Sequence, residues 1–337
     1  MSGEPISLFD EEQEAPPKRR RNRRPLLIGL SVLVALILAI VGVAGYYGKS
    51  MVDALDSINR DPTLMPTTNR PDPVQPQPGA AAAPLNFVLM GSDSRGSDRG
   101  RSDVLQLLHI SGDRKSAYLM SIPRDSWVDI PGHGKSKINA AYSWGGPALT
   151  VATLEQMLGV PMDHTVIIDF EGFIKVIDAL GGVTVHNKTA SSSAGFDYPQ
   201  GEITLTGDAA LQFVRERKNL PDGDFGRAQR QRDVILAVVK KLASKGVLAN
   251  PGLFNEALAE LGPNFTVDDA LTNTTLVTLA LELKDVTGSI SSMVMPNLGP
   301  GWEGKQSIIK VDWDAVAELQ TALRNDDLAG FYAKHGG

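Results

Sequence analysis

Hydrophobic positions divide this chain into three regimes. Leu26 to Tyr47 reads LLIGLSVLVALILAIVGVAGYY, 22 residues without a charge. At a rise of about 1.5 Å per residue, roughly 20 apolar residues cross a ~30 Å hydrocarbon core, so residues 25–47 are predicted to form one transmembrane helix. Residues 48–84 follow with seven of the 21 prolines and no apolar period. Alternating prolines favour extended, solvated backbone, which predicts a linker. From Leu85 onward, short apolar blocks alternate with amphipathic stretches. Segments 86–91, 103–110 and 116–122 read as buried strands bounded by Gly, Asp and Pro. Further strands are expected near 164–169, 182–187 and 202–206, between helical patterns at about 147–158, 170–180, 207–214 and 225–245. Two helical stretches after Asn250, strands near 289–295 and 307–311, and a last helix from Asp312 to Arg324 complete the series. Strands alternating with helices predict an α/β domain over 85–335, with a mixed sheet covered on both faces.

Charge sets the orientation. Residues 1–24 form a basic tail ending Lys18-Arg19-Arg20-Arg21-Asn22-Arg23-Arg24, directly before the apolar run. Positive charge favours the cytoplasmic side, which places the N-terminus inside and everything after Tyr47 outside the plasma membrane. A cleaved signal peptide fits less well, because its apolar region is typically only about 7–15 residues. The whole chain carries 33 Lys and Arg against 39 Asp and Glu, a net charge of −6. Such an acidic balance argues against a nucleic-acid partner, whose phosphates require a basic surface. It also makes any arginine cluster in the exported part conspicuous.

Composition removes several chemistries. With no cysteine there is no disulfide framework, thiolate nucleophile or Cys-ligated metal site. The five histidines form no His-Glu-x-x-His pair, and Gly134-Lys135-Ser136 is no P-loop, since position 129 is Asp rather than Gly. Three segments remain. Asp93 ends one expected strand and Asp103 begins the next, across a loop carrying Arg95 and Arg101, so a chain that folds back would bring two hard carboxylate ligands together, as suits Mg²⁺. Pro123-Arg124-Asp125 puts an arginine where a strand leaves the sheet. Arg215-Glu216-Arg217-Lys218 precedes Asp224-x-x-Arg227-x-x-Arg230-Gln231-Arg232. On a helix, Asp224, Arg227 and Gln231 lie within about 60° of one another with Arg230 at the margin, and Asp224 is placed to cap the helix. Arg215 and Arg217 can reach one ligand only if the preceding helix unwinds near Val214. Each segment alone also reads as turn residues, a surface ion pair or a solvated basic face. Together, arginines converging beside two carboxylates form the inventory for a pyrophosphate bridged by a divalent cation.

These residues resemble the LytR-CpsA-Psr family of cell-wall enzymes. The resemblance rests on Gly91-x-Asp93-x-Arg95, Arg101-Ser-Asp103, Pro123-Arg124-Asp125, Val214-Arg-x-Arg217 and Asp224-x-x-Arg227-x-x-Arg230-Gln231, in that order, over roughly 85–335. It implies an α–β–α sandwich that transfers a glycopolymer from a polyprenyl-pyrophosphate carrier to peptidoglycan, leaving a phosphodiester link. By the same likeness Asp93 and Asp103 hold Mg²⁺ or Mn²⁺. Arg101, Arg124, Arg215, Arg217, Arg227 and Gln231 bind the pyrophosphate, with Arg95 and Arg230 also matching, and Asp224 orients the arginines. Asp93, Arg124, Asp224 and Arg227 are the expected catalytic set, with either Asp93 or Asp224 assisting deprotonation. The rival readings are a lipid pyrophosphatase that uses water, and a membrane-anchored regulatory or polymer-binding protein.

Overall fold

The computed structural model describes residues 46, 48–50, 52–80, 82–92, 102–242, 244, 246, 250–282 and 290–336. The basic tail and all of the expected membrane helix except Tyr46 therefore lie outside the described residues. Among the described residues, no helix is long and apolar enough to cross a membrane. The chain divides into two units, Met1–Tyr46 and Tyr47–Gly337, and the second holds the sheet and its helices.

Seven strands form its central sheet: β1 (Asn59–Arg60), β2 (Leu85–Ser92), β3 (Ser102–Ile110), β4 (Ala117–Ser121), β5 (His164–Asp169), β6 (Phe265–Val267) and β7 (Ile290–Val294), in the order β1-β6-β5-β2-β3-β4-β7. β2 is parallel to β5 and antiparallel to β3. β4 is antiparallel to β3 and parallel to β7, while β6 is antiparallel to β5 and parallel to β1. The sheet is mixed, as the strand and helix pattern requires. Its strand directions bring to one rim the ends of β2, β4, β5 and β7 and the beginnings of β1, β3 and β6.

Helices pack around it: α1 (Asn139–Leu158), α2 (Phe170–Ala179), α3 (Gly207–Arg215), α4 (Asp224–Leu242), α5 (Pro251–Leu261), α6 (Asn273–Glu282), α7 (Trp313–Arg324) and α8 (Leu328–His335). Side chains alternate along a strand. Val88, Met90, Leu105, Leu107 and Met120 therefore face one way, meeting Leu154 of α1, Leu319 of α7 and Phe331 of α8. Phe87, Ile110 and Val166 face the other way and meet Leu279 of α6. A further cluster ties α2 through α5 together through Ile177, Phe213, Val234, Val238 and Ala257. Burying each such side chain contributes about 1.5–3 kcal/mol, so both faces are held by ordinary apolar packing.

Several elements differ from their sequence reading. α1 starts at Asn139, eight residues before the expected 147, because Gly146 (φ 68°) and Pro147 interrupt it and only the downstream half shows clean periodicity. The expected strands at 182–187 and 202–206 pair with each other, as Val183–Asn187 and Gly201–Leu205, outside the central sheet. The hairpin Trp127–Ile130/Gly134–Lys137 carries too little apolar alternation to stand out, and in the strand Asn297–Glu303 the run Gly299-Pro300-Gly301 reads as a turn. The expected linker at 48–84 is also not free chain throughout. Asn59–Arg60 adds a parallel edge strand to Phe265–Val267, Leu64 is buried, and Arg70 holds the buried carboxylate of Glu155 at 2.6 Å. An extended backbone builds no core of its own, but single anchoring side chains can dock it onto one.

At the other end of β5, His164 Nδ1 lies 3.2 Å from both carboxylate oxygens of Asp268, which also accepts the Thr165 N–H at 2.9 Å and the Ala270 N–H at 3.1 Å. Burial pushes the Asp268 carboxyl up, but these hydrogen bonds outweigh it and leave it below the ordinary value. A lowered folded pKa means that the stabilisation is complete above the unfolded value, about 3.9, and is lost as pH falls through the folded value. Asp268→Asn is therefore expected to destabilise the protein most at neutral pH. The gap in urea midpoint between it and the native chain should shrink below pH 4.

A guanidinium cluster at the sheet rim

β4 ends at Ser121, and Pro123, which has no N–H to continue the ladder, directs Arg124 out at the rim. The loop is fixed from below, with Asn139 N–H donating to the Arg124 carbonyl at 3.1 Å and Ile138 N–H to that of Ser126 at 2.9 Å. α3 stops at Arg215, and Glu216 is extended (φ −66°, ψ 133°), so the helix unwinds where two neighbouring arginines needed it to. α4 opens with Asp224 as its first helical residue. Where capping was expected, the Asp224 carboxylate instead collects arginines. Arg227 Nη2 lies 2.7 Å from Oδ1, Arg217 Nη1 lies 4.0 Å from Oδ1, and Arg124 Nε lies 3.7 Å from Oδ2. Arg124 is also 4.0 Å from Asp125, which Lys137 reaches at 3.2 Å. Among the described residues, four cations thus share the Asp125 and Asp224 carboxylates at a helix N-terminus, whose dipole adds positive charge.

The remaining candidates are placed as follows. Arg215 closes α3, half-buried. Gln231 is buried, and its Nε2 donates to the Val214 carbonyl at 3.1 Å, so it secures the end of α3 beside the cluster. Arg230 does not join the cluster. It is 5% exposed, and Nη1 donates to Glu216 Oε2 at 2.7 Å while Nη2 donates to Asn187, Thr189 and Ser191. Its guanidinium also lies 4.1 Å from the Phe213 ring centroid. Three residues past Arg227 on a helix, it is turned by about 60° toward another segment, and a buried carboxylate holds it there. In this arrangement Arg230 is a buried strut between α4 and the C-cap residue of α3.

Sequence reasoning missed Glu216 and Arg232. Glu216 stands alone as an acid among three basic neighbours, a signal that could have found it. Arg232 is buried, and its Nη1 donates to Ser121 Oγ at 2.7 Å, which pins α4 to the strand that delivers Arg124. Burial lowers its pKa.

Asp93, Arg95 and Arg101 lie outside the described residues, as does the Asp103 side chain. The backbone register pairs Ser92, the last residue of β2, with Ser102, the first of β3, at this rim, and Asp103 is the second residue of β3. Among the described residues, no three acidic or imidazole groups gather as a metal site. Beneath the cluster, an apolar pocket opens between sheet and helices, lined by Leu89, Gly91, Val104, Ile168, Val214 and Ile235 with Gln231. Val214 precedes Arg215 and Ile235 continues the stripe of Arg227 and Gln231, so the pocket adjoins the charge.

Comparison with known proteins identifies the family. The model of the LytR_cpsA_psr family matches residues 51–325. The polyisoprenyl-teichoic acid–peptidoglycan teichoic acid transferase TagU of Bacillus mycoides (strain KBAB4) is 45% identical over 170 residues, which are 50% of this chain and 56% of the relative. That match spans little more than half of the relative's length. The protein of the same name from Oceanobacillus iheyensis is 37% identical over 266 residues, 76% of this chain and 80% of the relative. Among solved structures, B. subtilis TagV superposes with a TM-score of 0.61 at 28% identity, covering 72% of this chain and 97% of TagV.

Proposed function

This chain belongs to the LytR-CpsA-Psr family, and from that premise we propose that it transfers a glycopolymer from a polyprenyl-pyrophosphate-linked donor to peptidoglycan. The observation that carries the reading is the Asp224 carboxylate lying within 4.0 Å of guanidiniums from three separate segments, Arg124, Arg217 and Arg227. Such a cluster neutralises a doubly phosphorylated head group, and phosphoryl transfer is catalysed mainly by positioning and charge stabilisation. Arg227, buried and closest to Asp224, presents a fixed donor; Arg217, half-exposed, closes over the outer side. The adjoining apolar pocket, about 20 Å³ as it stands, would widen to take the first units of the polyprenyl chain. The relatives named as teichoic acid transferases support the donor and acceptor classes.

In the proposed reaction an acceptor hydroxyl of peptidoglycan attacks the phosphorus nearest the sugar. The bond from that phosphorus to the bridging oxygen breaks, polyprenyl phosphate leaves with the electron pair, and the polymer remains in phosphodiester linkage. The hydroxyl proton passes to a carboxylate. Asp224 is committed to holding three guanidiniums, which favours an orienting role for it and leaves Asp93 as the base. A Mg²⁺ or Mn²⁺ ion held by Asp93 and Asp103 would add positive charge beside the pyrophosphate. The chain is placed in the plasma membrane by one helix at 25–47, with residues 1–24 cytoplasmic and the body extracytoplasmic. The tether keeps the site near a lipid-borne substrate and raises its effective concentration.

The test is product analysis with the full chain in lipid vesicles, a polyprenyl-pyrophosphate-linked glycopolymer, peptidoglycan and Mg²⁺. Phosphodiester-linked polymer is expected. Free sugar phosphate would instead identify a lipid pyrophosphatase, and an intact donor would leave a binding protein. Chelation with EDTA is expected to stop turnover and added Mg²⁺ or Mn²⁺ to restore it; turnover that persists in EDTA refutes the metal.

A further inference from the structure

The hairpin Asn297–Glu303/Gln306–Val311 presents an apolar face that the transfer reaction does not use. Leu298, Pro300 and Trp302 fall at alternate positions and all are exposed, Leu298 at 67% and Trp302 at 70%. Ile309, paired with Pro300 across the hairpin, is half-buried, and Lys305 and Lys310 beside it are exposed. Single exposed apolar residues are ordinary, but bulky ones gathered on one ribbon mark a contact surface.

Its place in the fold says what the contact is. The hairpin follows β7, whose end Val294 pairs with Ser121 at the rim that bears the guanidinium cluster. β1 begins at that same rim, because it runs parallel to β6 and antiparallel to β5. Just before β1, Ala54 and Ser57 pack closely against Gly262, which precedes β6. Residues 48–58, eleven in all, are the whole chain between the apolar run and this rim. Even fully extended they span no more than about 40 Å.

We propose that this hairpin is a membrane-contact element, seated in the head-group region of the bilayer with Leu298 and Trp302 inserted. The proposal rests on the topology given under Proposed function. Tryptophan is favoured at that depth because its ring is apolar while its N–H finds polar partners, and the two lysines suit anionic head groups. Seating the hairpin would present the apolar pocket and the cluster to a lipid-linked donor without lifting the donor fully from the bilayer.

Tryptophan emission tests this directly. The four tryptophans are residues 127, 144, 302 and 313, so none lies in the apolar run and all emission comes from the body. The full chain is reconstituted in phosphatidylcholine–phosphatidylglycerol vesicles whose acyl chains are brominated near the head groups. Emission is expected to fall relative to unbrominated vesicles, and in Trp302→Phe that fall should vanish. Trp302 is exposed, so the conservative variant keeps the fold. No quenching in the native chain, or quenching that survives in Trp302→Phe, overturns the proposal, as does Trp302 emission that responds to soluble peptidoglycan fragments but not to brominated lipid. Failure of the transfer assay would count against the reaction alone and leave the quenching result to decide the membrane contact.

Discussion

Replacing Arg227 with alanine is expected to lower kcat for polymer transfer by about 100-fold or more while the protein stays folded, a loss typical of removing one preorganised charge donor. Arg227 is chosen over its neighbours because it is the most fixed member of the cluster. Its side chain is 10% exposed and sits 2.7 Å from Asp224, whereas that of Arg217 is 48% exposed and 4.0 Å away. A fixed guanidinium loses nothing to reorganisation when charge shifts between phosphates, so most of its interaction is available in the transition state. Arg217→Ala should cost less and appear mainly in KM. Lysine at 227 is not expected to rescue turnover, because a point charge cannot reproduce the bidentate fork. Thermal unfolding should move little in Arg227→Ala, since Asp224 keeps Arg124 and Arg217. Turnover within tenfold of the native value would remove the cluster from the mechanism.

Glu216→Ala is expected to cost stability rather than chemistry, by about 3–5 kcal/mol, the usual penalty for leaving a buried charge without its partner. Glu216 and Arg230 are both buried, Nη1 to Oε2 is 2.7 Å, and Ser191 Oγ donates to the same carboxylate oxygen at 2.7 Å. Without the carboxylate, the guanidinium keeps only neutral partners at Asn187, Thr189 and Ser191. The measurement is the urea midpoint, which should fall sharply; Glu216→Gln, which keeps the shape and one acceptor, should fall less. Because Glu216 lies between Arg215 and Arg217, the variant should also lose activity on mild warming before global unfolding. An unchanged midpoint would show that Arg230 finds water or another acceptor and is not a strut.

Much of the fold was legible because its signals are local. The strands at 86–91, 103–110 and 116–122 appear as β2, β3 and β4, since buried strands require unbroken apolar runs between turn residues. The helix at 225–245 appears as Asp224–Leu242 for the corresponding reason, a stripe of period 3.6. Elements that draw their stability from neighbours were not legible. The edge strand Asn59–Arg60 has two residues and no apolar pattern, and exists because Phe265–Val267 offers it a ladder. The hairpin at 127–137 is half polar and is stabilised by its pairing. α8 was hidden by its length of eight residues, too short to be stable without the Phe331 side chain buried in the core.

The site divides in the same way. Sequence alone determined that the arginines and carboxylates exist in the family's order, that Asp224, Arg227 and Gln231 share a helix face, and that Arg215 and Arg217 could reach one ligand only if the helix before them ended near Val214. Those statements follow from covalent spacing and helical geometry, which hold wherever the chain goes. Tertiary structure decided that Arg124, Arg217 and Arg227 meet at one carboxylate, and that Arg230, offset from Arg227 by a mere 60° or so, turns away to a buried glutamate. The orientation of a charged side chain is set by its nearest counter-charge in a poorly screened interior. That counter-charge, Glu216, comes from a different element, and no spacing along α4 could have announced it.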